Sequence, residues 1–284
     1  MKFVFLLCLL TSSRLILVAQ KPTIGIVQDL EHDSILHASG YRSLVVSIAT
    51  YFSPKNVSDK KFQEILQLFK KSRMSLYACN IFIPADLKLV GPDVDEVSIL
   101  TYTNIVFQRC QAAGVKMIIW GSGGARRVPD GFDKVKASEQ FISIARKVAS
   151  LAARYKIVLA LENLNSTETN FITTLEEAFE IVRKVNNPNL RLCADVYHML
   201  KENEPPAVIE KAGNYIVHCD LAEKEKRAPP GTKGDDFRRY LKALRKIRFK
   251  GMIMLECQWE NLSTQAGPAN QYLQKQIDEV YSQK

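Results

Sequence analysis

Short apolar runs alternate along this chain with segments in which apolar residues recur three and four positions apart. The runs have few interrupting polar residues, which is typical of strands buried on both faces of a parallel sheet. They lie at 23–29, 44–52, 74–83, 115–120, 157–161, 190–195, 215–220 and 251–256. The helical periodicity predicts helices over 58–71, 95–113, 132–155, 174–185, 206–212, 235–248 and 268–282.

Strands that alternate with helices in this order predict the α/β class, and eight such units match a (β/α)₈ TIM barrel. An open doubly wound sheet is the alternative, but no glycine-rich dinucleotide turn follows the first strand. We therefore predict one TIM barrel domain over residues 20–284.

Residues 1–19 differ from the rest of the chain. Lys2 is followed by FVFLLCLL and then by LILVA, a pattern that resembles a secretory signal peptide ending before Gln20. An uncleaved anchor is the alternative, because Arg14 interrupts the apolar run. Cleavage would give an exported protein, periplasmic or secreted, with no stable membrane association.

Charge and cysteine content restrict the function further. Without residues 1–19 the chain has 37 basic and 30 acidic residues, and much of the excess lies in 238–250. No aromatic stacking platform is interleaved there, so a solvated helix face is favoured over a nucleic-acid groove. The five remaining cysteines form no CxxC pair and are odd in number, which favours buried thiols over a disulfide framework.

Polar side chains follow the last four predicted strands. The C-terminal ends of barrel strands share one mouth, so these side chains should meet there. Such a concentration of carboxylates requires a cation, and oxygen ligands suit Mn²⁺, Mg²⁺ or Co²⁺ better than Zn²⁺. Each residue alone has a structural alternative. The candidates are Glu162 in IVLALENLNSTE, Asp195 and His198 in DVYH, His218 and Asp220 in VHCD, and Glu256 in MLE.

The chain resembles the xylose isomerase-like barrels, and within them the ketose 3-epimerases and hydroxypyruvate isomerase. The matching features are GSGGAR after strand four, LEN followed by Glu168, DxxH, HxD, RAPPG and GMIMLE. The resemblance implies a divalent metal held by Glu162, Asp195, Asp220 and Glu256. It also implies sugar contacts from Glu168, His198 and Arg227, and we expect further substrate contacts from His218 and Arg126.

Proton transfer beside a carbonyl is the chemistry that this set could perform on a small sugar or keto-sugar. Glu162 and Glu256 would act as metal ligands and as the acid–base pair on either side of an enediolate, giving epimerisation or isomerisation. Two alternatives stay open: a metal-dependent lyase or dehydratase acting on a keto-inositol or keto-acid, and a catalytically silent sugar-binding barrel. A homo-oligomer is compatible with any of these.

Two departures from the family pattern affect these expectations. Asp220 stands where the epimerases carry His and hydroxypyruvate isomerases carry Gln, and the segment from Asp220 to Arg227 is one residue longer than in epimerases. A carboxylate at this third ligand position should tighten binding of a hard cation and weaken its Lewis acidity. Altered or lost activity is therefore an open alternative.

The loop GSGGARRVPDG combines turn glycines with Arg126 and Arg127. It could hold an anion or several hydroxyls, or the arginines could simply pair with nearby protein groups. A nuclease of the same barrel class would need a histidine-rich trinuclear zinc site, whereas the whole chain has four histidines. Asn165 begins an Asn-x-Thr triplet, but its place in the predicted site loop favours a chance occurrence over glycosylation.

Overall fold

The computed structural model describes residues 20–282, so the predicted signal peptide, 1–19, lies outside the described residues. The strands pair in parallel in chain order and β8 closes on β1, which confirms the predicted barrel. They are β1 (Thr23–Val27), β2 (Ser43–Ser47), β3 (Ser75–Asn80), β4 (Met117–Trp120), β5 (Val158–Glu162), β6 (Leu190–Asp195), β7 (Ile216–Leu221) and β8 (Met252–Leu255).

Helices surround the barrel, and four of the longer ones begin with a side-chain cap. Ser58, Asp95, Asp133 and Thr174 each accept a hydrogen bond from a backbone N–H three residues on, an interaction worth about 1 kcal/mol. The helices are α1 (Asp33–Ala38), α2 (Ile48–Tyr51), α3 (Asp59–Lys71), α4 (Glu96–Ala112), α5 (Gly123–Arg126), α6 (Lys134–Arg154), α7 (Leu175–Val185), α8 (Val196–Lys201), α9 (Ala207–Ala212), α10 (Arg238–Lys246) and α11 (Leu262–Ser282).

Two element boundaries differ from the sequence prediction. The second apolar run does not continue as a strand to residue 52, because Ser47 caps α2 by accepting from the N–H of Thr50. Helix α11 begins at Leu262 instead of residue 268 and contains Pro268. Proline removes one helical hydrogen bond, and packing of Ala266 and Ala269 against the core holds the helix together on either side of it.

A cluster of apolar side chains fills part of the barrel interior, and the mouth is the place where chemistry is expected. This inner cluster is separate from the larger core between sheet and helices. It consists of Val45, Ala78, Ile119, Ala160, Cys193 and Met254.

The basic helix α10 has the outer position predicted for it. Its apolar residues Tyr240, Leu241 and Leu244 are buried, while Arg238 and Lys246 form ion pairs at the surface with acidic residues of neighbouring helices. Among residues 20–282, no helix is both long enough and apolar enough to cross a membrane.

Backbone strain is concentrated at the mouth. Five non-glycine residues with positive φ lie in loops that follow β3, β4, β5 and β7: Ile81, Ser122, Ile172, Lys226 and Arg227. The left-handed region is especially unfavourable for a β-branched residue, and two of the five are isoleucines with φ of 51° and 59°. Strain of this kind often accompanies functional sites.

Candidate active site

Glu162 ends β5 and points into the mouth with only 7% of its surface exposed. The apolar strand before it is buried, and Gly121, which follows β4, provides the space for its carboxylate. A Cβ atom on Gly121 would lie 2.3 Å from Glu162 Oε2. The pairing of Trp120 with Leu161 fixes these neighbouring strand ends side by side.

The four predicted metal ligands come together as expected from the barrel. Glu162, Asp220 and Glu256 place one oxygen each within 4.8 Å of one another. Glu162 also forms a second group of this size with Asp195 and His198. Glu162 is thus common to both groups and lies at the centre of the constellation.

Arg227 links the carboxylates across the mouth. Its Nη2 contacts Glu256 Oε2 and lies 3.3 Å from Asp195 Oδ2, while its Nη1 lies 3.8 Å from Glu168 Oε1. The guanidinium also stacks on Tyr197, with 4.7 Å from Cζ to the ring centroid. The extra residue between β7 and Arg227 therefore does not remove this side chain from the site.

Burial and mutual repulsion disfavour ionisation of three of the four carboxyl groups. Burial, with the charges of Glu256 and Asp195, raises the pKa of Glu162 well above its usual range. Burial raises the pKa of Glu256 to about 7 and that of Asp195 to about 6, although Arg227 opposes both shifts. Carboxyl groups of this kind are candidates for proton transfer near neutral pH.

Asp220 differs because two donors approach it from inside the barrel. His218 Nε2 lies 2.9 Å from its Oδ1, and Cys193 donates its thiol hydrogen to Oδ2 over 3.2 Å. Burial by itself favours the protonated form, but His218 and the two hydrogen bonds lower the pKa of Asp220. Asp220 is the carboxylate of this set that keeps its charge most readily.

The position of His218 corrects the expectation that it contacts substrate. The ring is fully buried below Asp220 and stacks on Tyr77, with centroids 5.8 Å apart. Residues two apart on a strand point to the same face, so His218 shares the barrel interior with Asp220 but lies one layer deeper. Its role is to support Asp220.

Arg126 also has a different position from the one expected of a substrate contact. Its side chain is fully buried, and Nη2 donates to the carbonyl oxygens of Glu162 and Ile172 over 3.0 and 2.9 Å. Burial lowers its pKa to about 10. These contacts make Arg126 a support for the end of β5. Arg127 likewise donates to a backbone oxygen, that of Glu168.

His198 and Glu168, both predicted to contact the sugar, lie beside the predicted metal ligands. His198 is fully buried, with Nε2 at 3.4 Å from Asp195 Oδ2 and 3.8 Å from Glu162 Oε1. Glu168 has 40% of its side chain exposed at the mouth and places Oε1 3.9 Å from His198 Nδ1. The backbone N–H of His198 donates to Asp195 Oδ1, which caps α8 and orients the carboxylate.

Three asparagines in the site were not among the predicted site residues. Asn80, the last residue of β3, donates to Glu256 Oε1 over 3.0 Å. Asn163 exchanges two hydrogen bonds with the backbone of Asp195. Asn165 lies 2.8 Å from His198 Nδ1 and is fully buried, a position that leaves no room for a glycan. Considering amides as well as carboxylates at strand ends would have identified Asn80.

The arrangement fits a divalent cation. Glu162, Asp195, Asp220 and Glu256 supply oxygen donors from four consecutive strands, and burial together with the neighbouring carboxylates raises the pKa of Glu162, Asp195 and Glu256. Oxygen-rich coordination is the preference of Mn²⁺ and Mg²⁺. A cation would stabilise the ionised forms of these carboxyl groups.

Comparison with known proteins identifies the family. The family model described as xylose isomerase-like TIM barrel matches residues 34–282. The chain belongs to this family. The D-psicose 3-epimerase of Enterocloster bolteae is 30% identical over 112 residues, which are 39% of this chain and 37% of that protein. The putative hydroxypyruvate isomerase of Homo sapiens is 27% identical over 143 residues, 47% of this chain and 52% of that protein.

Structural similarity extends further along the chain. The crystal structure of D-allulose 3-epimerase from Methylomonas sp. in complex with D-allulose has a TM-score of 0.77 and 18% identity, covering 91% of this chain and 99% of that one. At this identity the likeness shows the xylose isomerase-like fold. The sequence matches to the two curated relatives span about half of their length or less.

The carboxyl pKa values predict how pH affects this xylose isomerase-like barrel after treatment with a chelator. Because the pKa of Glu256 is raised, its contribution to stability is complete below about pH 4.5 and is lost as the pH rises through about 7. The contribution of Asp195 to stability is likewise lost as the pH rises through about 6. Burial lowers the pKa of His198 to about 3, so the contribution of His198 to stability grows as the pH rises to about 6.5. Below that pH it offsets the losses from Glu256 and Asp195.

We therefore expect the Tm of chelated protein to fall between about pH 6.5 and 7.5, where His198 no longer compensates. Differential scanning calorimetry at a series of pH values measures this effect. Saturation with Mn²⁺ should make Tm nearly independent of pH. In chelator, the fall of Tm with pH should be less steep in the Glu256→Gln variant. An equally steep fall in the Glu256→Gln variant would show that another group causes it.

The thiol of Cys193 provides a test of how Asp220 is held. Cys193→Ala removes the donor to Asp220 Oδ2, whereas Cys193→Ser retains a hydroxyl donor at the same position. We expect the alanine variant to bind Mn²⁺ about 10-fold more weakly, as is typical when a partner of a metal ligand is removed. The Mn²⁺ affinity of the serine variant should be closer to that of the unsubstituted protein. Dissociation constants from electron paramagnetic resonance titration measure this, and equal affinities for both variants would contradict it.

Proposed function

We propose that this protein is a divalent-metal-dependent sugar epimerase or isomerase that acts on a ketose or related keto-sugar. The observation that carries the proposal is the pair Glu162 and Glu256. Both carboxyl groups have raised pKa values, and together with Asp220 they place oxygens within 4.8 Å of one another at the barrel mouth. The names of the relatives, which are ketose 3-epimerases and an isomerase, support the same class of chemistry.

Two carboxyl groups are needed because the reaction removes a proton from carbon and returns one. In the proposed reaction, Glu162 accepts the proton from the carbon beside the carbonyl, and protonated Glu256 donates one from the other face. Return of a proton to the same carbon inverts the configuration of that carbon. Return of a proton to the neighbouring carbon converts a ketose to an aldose. Bound Mn²⁺, Mg²⁺ or Co²⁺, which we propose ahead of Zn²⁺, would polarise the carbonyl and stabilise the negative charge that develops.

The remaining polar groups are suited to hydroxyl recognition. Arg227 supplies guanidinium hydrogens, Glu168 supplies an exposed carboxylate, and His198 supplies a ring nitrogen from a fully buried position. Asn80 holds Glu256 Oε1 and so fixes the direction in which that carboxyl group faces. Burial of His198 and Asn80 reduces competition from water, which strengthens their polar contacts.

The direct test uses purified mature chain, residues 20–284, loaded separately with Mn²⁺, Mg²⁺ or Co²⁺. It is incubated with a panel of ketoses, keto-acids and keto-glycosides, and products are separated by chromatography. We expect an epimer or isomer from at least one keto-sugar, its loss with chelator, and its recovery when metal is returned. Loss of water from the substrate would instead identify a lyase. Binding without any product would identify a silent sugar-binding barrel.

Export is a separate proposal that rests on residues 1–19. We propose that these residues are removed and that the barrel acts outside the cytoplasm. N-terminal sequencing of protein recovered from the producing cells tests this. A mature chain starting at Gln20 supports export, and an intact Met1 on cytosolic protein contradicts it.

A further inference from the structure

Asn165 has an amide whose orientation is fixed by its neighbours. The backbone N–H and the hydroxyl of Thr167 both donate to Asn165 Oδ1, the former over 2.9 Å. A backbone N–H is always a donor, so the group facing it must be the amide oxygen. The amide nitrogen of Asn165 therefore points in the opposite direction, toward the site.

Both hydrogens of that amide nitrogen have an acceptor. One is directed to Glu168 Oε1 at 3.1 Å and the other to His198 Nδ1 at 2.8 Å. Because Asn165 Nδ2 can only donate, His198 Nδ1 must accept and cannot carry a hydrogen. The side chain of His198 is fully buried, so water does not compete for this nitrogen.

A neutral imidazole whose Nδ1 accepts carries its hydrogen on Nε2. That nitrogen is buried and has no hydrogen-bond partner among the described residues. It faces the metal-binding carboxylates, 3.4 Å from Asp195 Oδ2 and 3.8 Å from Glu162 Oε1. A buried donor without an acceptor is costly, and a substrate oxygen at the mouth would satisfy it.

We propose that Asn165 is a positioning residue that fixes His198 in the Nε2–H tautomer, so that His198 donates a hydrogen bond to an oxygen of the bound substrate. This assignment rests on the proposed function for the identity of the substrate. In this tautomer His198 is not a metal ligand, because a protonated ring nitrogen has no lone pair for a cation. This holds although His198 lies within 4.8 Å of Glu162 and Asp195. The imidazole is neutral because its Nδ1 accepts a hydrogen bond from Asn165, which an imidazolium nitrogen could not do.

The tautomer can be measured directly and without substrate. Protein labelled with ¹⁵N-histidine and loaded with diamagnetic Mg²⁺ is studied by long-range ¹H–¹⁵N correlation at neutral pH, and His198→Gln identifies the resonances. We expect His198 to show an unprotonated Nδ1 and a protonated Nε2. A protonated Nδ1 in the unmodified protein would overturn the proposal.

One variant and a control test the role of Asn165. Asn165→Asp keeps the acceptor for Thr167 but replaces the donor to His198 by an oxygen, so Nδ1 should gain a hydrogen. Ser166→Ala changes the adjacent residue of the same turn, which contacts Glu202, and should leave Nδ1 unprotonated. An unprotonated Nδ1 in the Asn165→Asp protein, or a changed tautomer in the control, would overturn the assignment.

A double-mutant cycle measures the consequence for turnover. Asn165→Ala should lower kcat by about 10- to 100-fold, the range found for partners that orient a site residue. Gln has an amide with no tautomers, so in a His198→Gln background the same change should add no more than about twofold. Equal effects in both backgrounds would make Asn165 a structural residue only. If the predicted tautomer is found but no keto-sugar is converted, the proposed function fails and the tautomer assignment stands.

Discussion

Replacement of Glu162 by Gln is expected to lower kcat by about 10²- to 10⁴-fold, the usual contribution of a positioned acid–base group. Gln has nearly the same shape but cannot accept a proton from carbon. Folding should not suffer, because Glu162 is buried beside three other carboxyl groups that disfavour its charge. In chelator, removal of that charge should leave Tm unchanged or raise it. Steady-state kinetics on the substrate identified by the panel, with calorimetry, measures both effects.

The control for this variant is Glu180→Gln on the outer helix α7, where Glu180 forms an exposed ion pair with Arg183. It makes the same chemical change far from the mouth and should leave kcat within about twofold, since surface ion pairs contribute little. If Glu162→Gln retained most of the activity, the assignment of Glu162 as the proton acceptor would be wrong. A large loss accompanied by unfolding would instead make Glu162 a structural residue.

Substitution of Gly121 by Ala is expected to cause the second largest loss. The added Cβ would lie 2.3 Å from Glu162 Oε2, so the carboxylate has to move. Because the obstacle is the end of a flexible side chain, the cost in stability should be small. Displacement of a catalytic group by about 1 Å can lower the rate by about 10²-fold, and affinity for Mn²⁺ should fall with it.

Gly267→Ala serves as the matched control, because a Cβ at Gly267 meets no atom within 4 Å. In this helical position alanine should hold or raise Tm and leave kcat and Mn²⁺ affinity unchanged. The comparison requires calorimetry, metal titration and kinetics on both variants. Normal activity and metal affinity in the Gly121→Ala protein would show that the exact position of the Glu162 carboxylate is unimportant.

The barrel could be predicted from the sequence because its strands are short, apolar and regularly spaced by helices. The same regularity placed Glu162, Asp195, Asp220 and Glu256 at one end of the sheet, since parallel strands expose their C-terminal residues at a common edge. Helix α2 was not predicted because Ile48 and Tyr51 extend an apolar run that looks like a continuing strand. The short turn depends on one cap, Ser47, which the apolar pattern hides.

The roles of Arg126 and His218 could not be predicted because they depend on how deeply each side chain is buried. Both residues belong to motifs of the predicted site, GSGGAR and VHCD, yet each faces protein groups. Arg126 donates to two carbonyl oxygens, and His218 faces the carboxylate of Asp220. Sequence spacing gives the direction of a side chain on a strand but not the layer it occupies. Only the packing of neighbouring strands determines that.

Asp220 illustrates what a motif departure can conceal. From sequence alone, an acidic residue in place of His or Gln adds a negative charge to the three other carboxylates without compensation. In the structure, Cys193 and His218 both contact this carboxylate. Cys193 precedes Asp195 on β6, and no motif in the sequence connects it with Asp220. Asp in place of His or Gln is therefore accompanied by two neighbouring side chains, Cys193 and His218, that stabilise a carboxylate at this position.

In the proposed reaction two different carboxyl groups remove and return the proton, and solvent deuterium tests this most directly. The metal-loaded protein is incubated in D₂O with the keto-sugar it converts, and the product is examined by NMR after addition of chelator. Because Glu256 exchanges its hydrogen with solvent before donating it, each product molecule should carry one deuterium at the carbon that accepts the proton. The label should be absent with chelator and with Glu162→Gln. Product formed without deuterium at that carbon would contradict the two-carboxyl account.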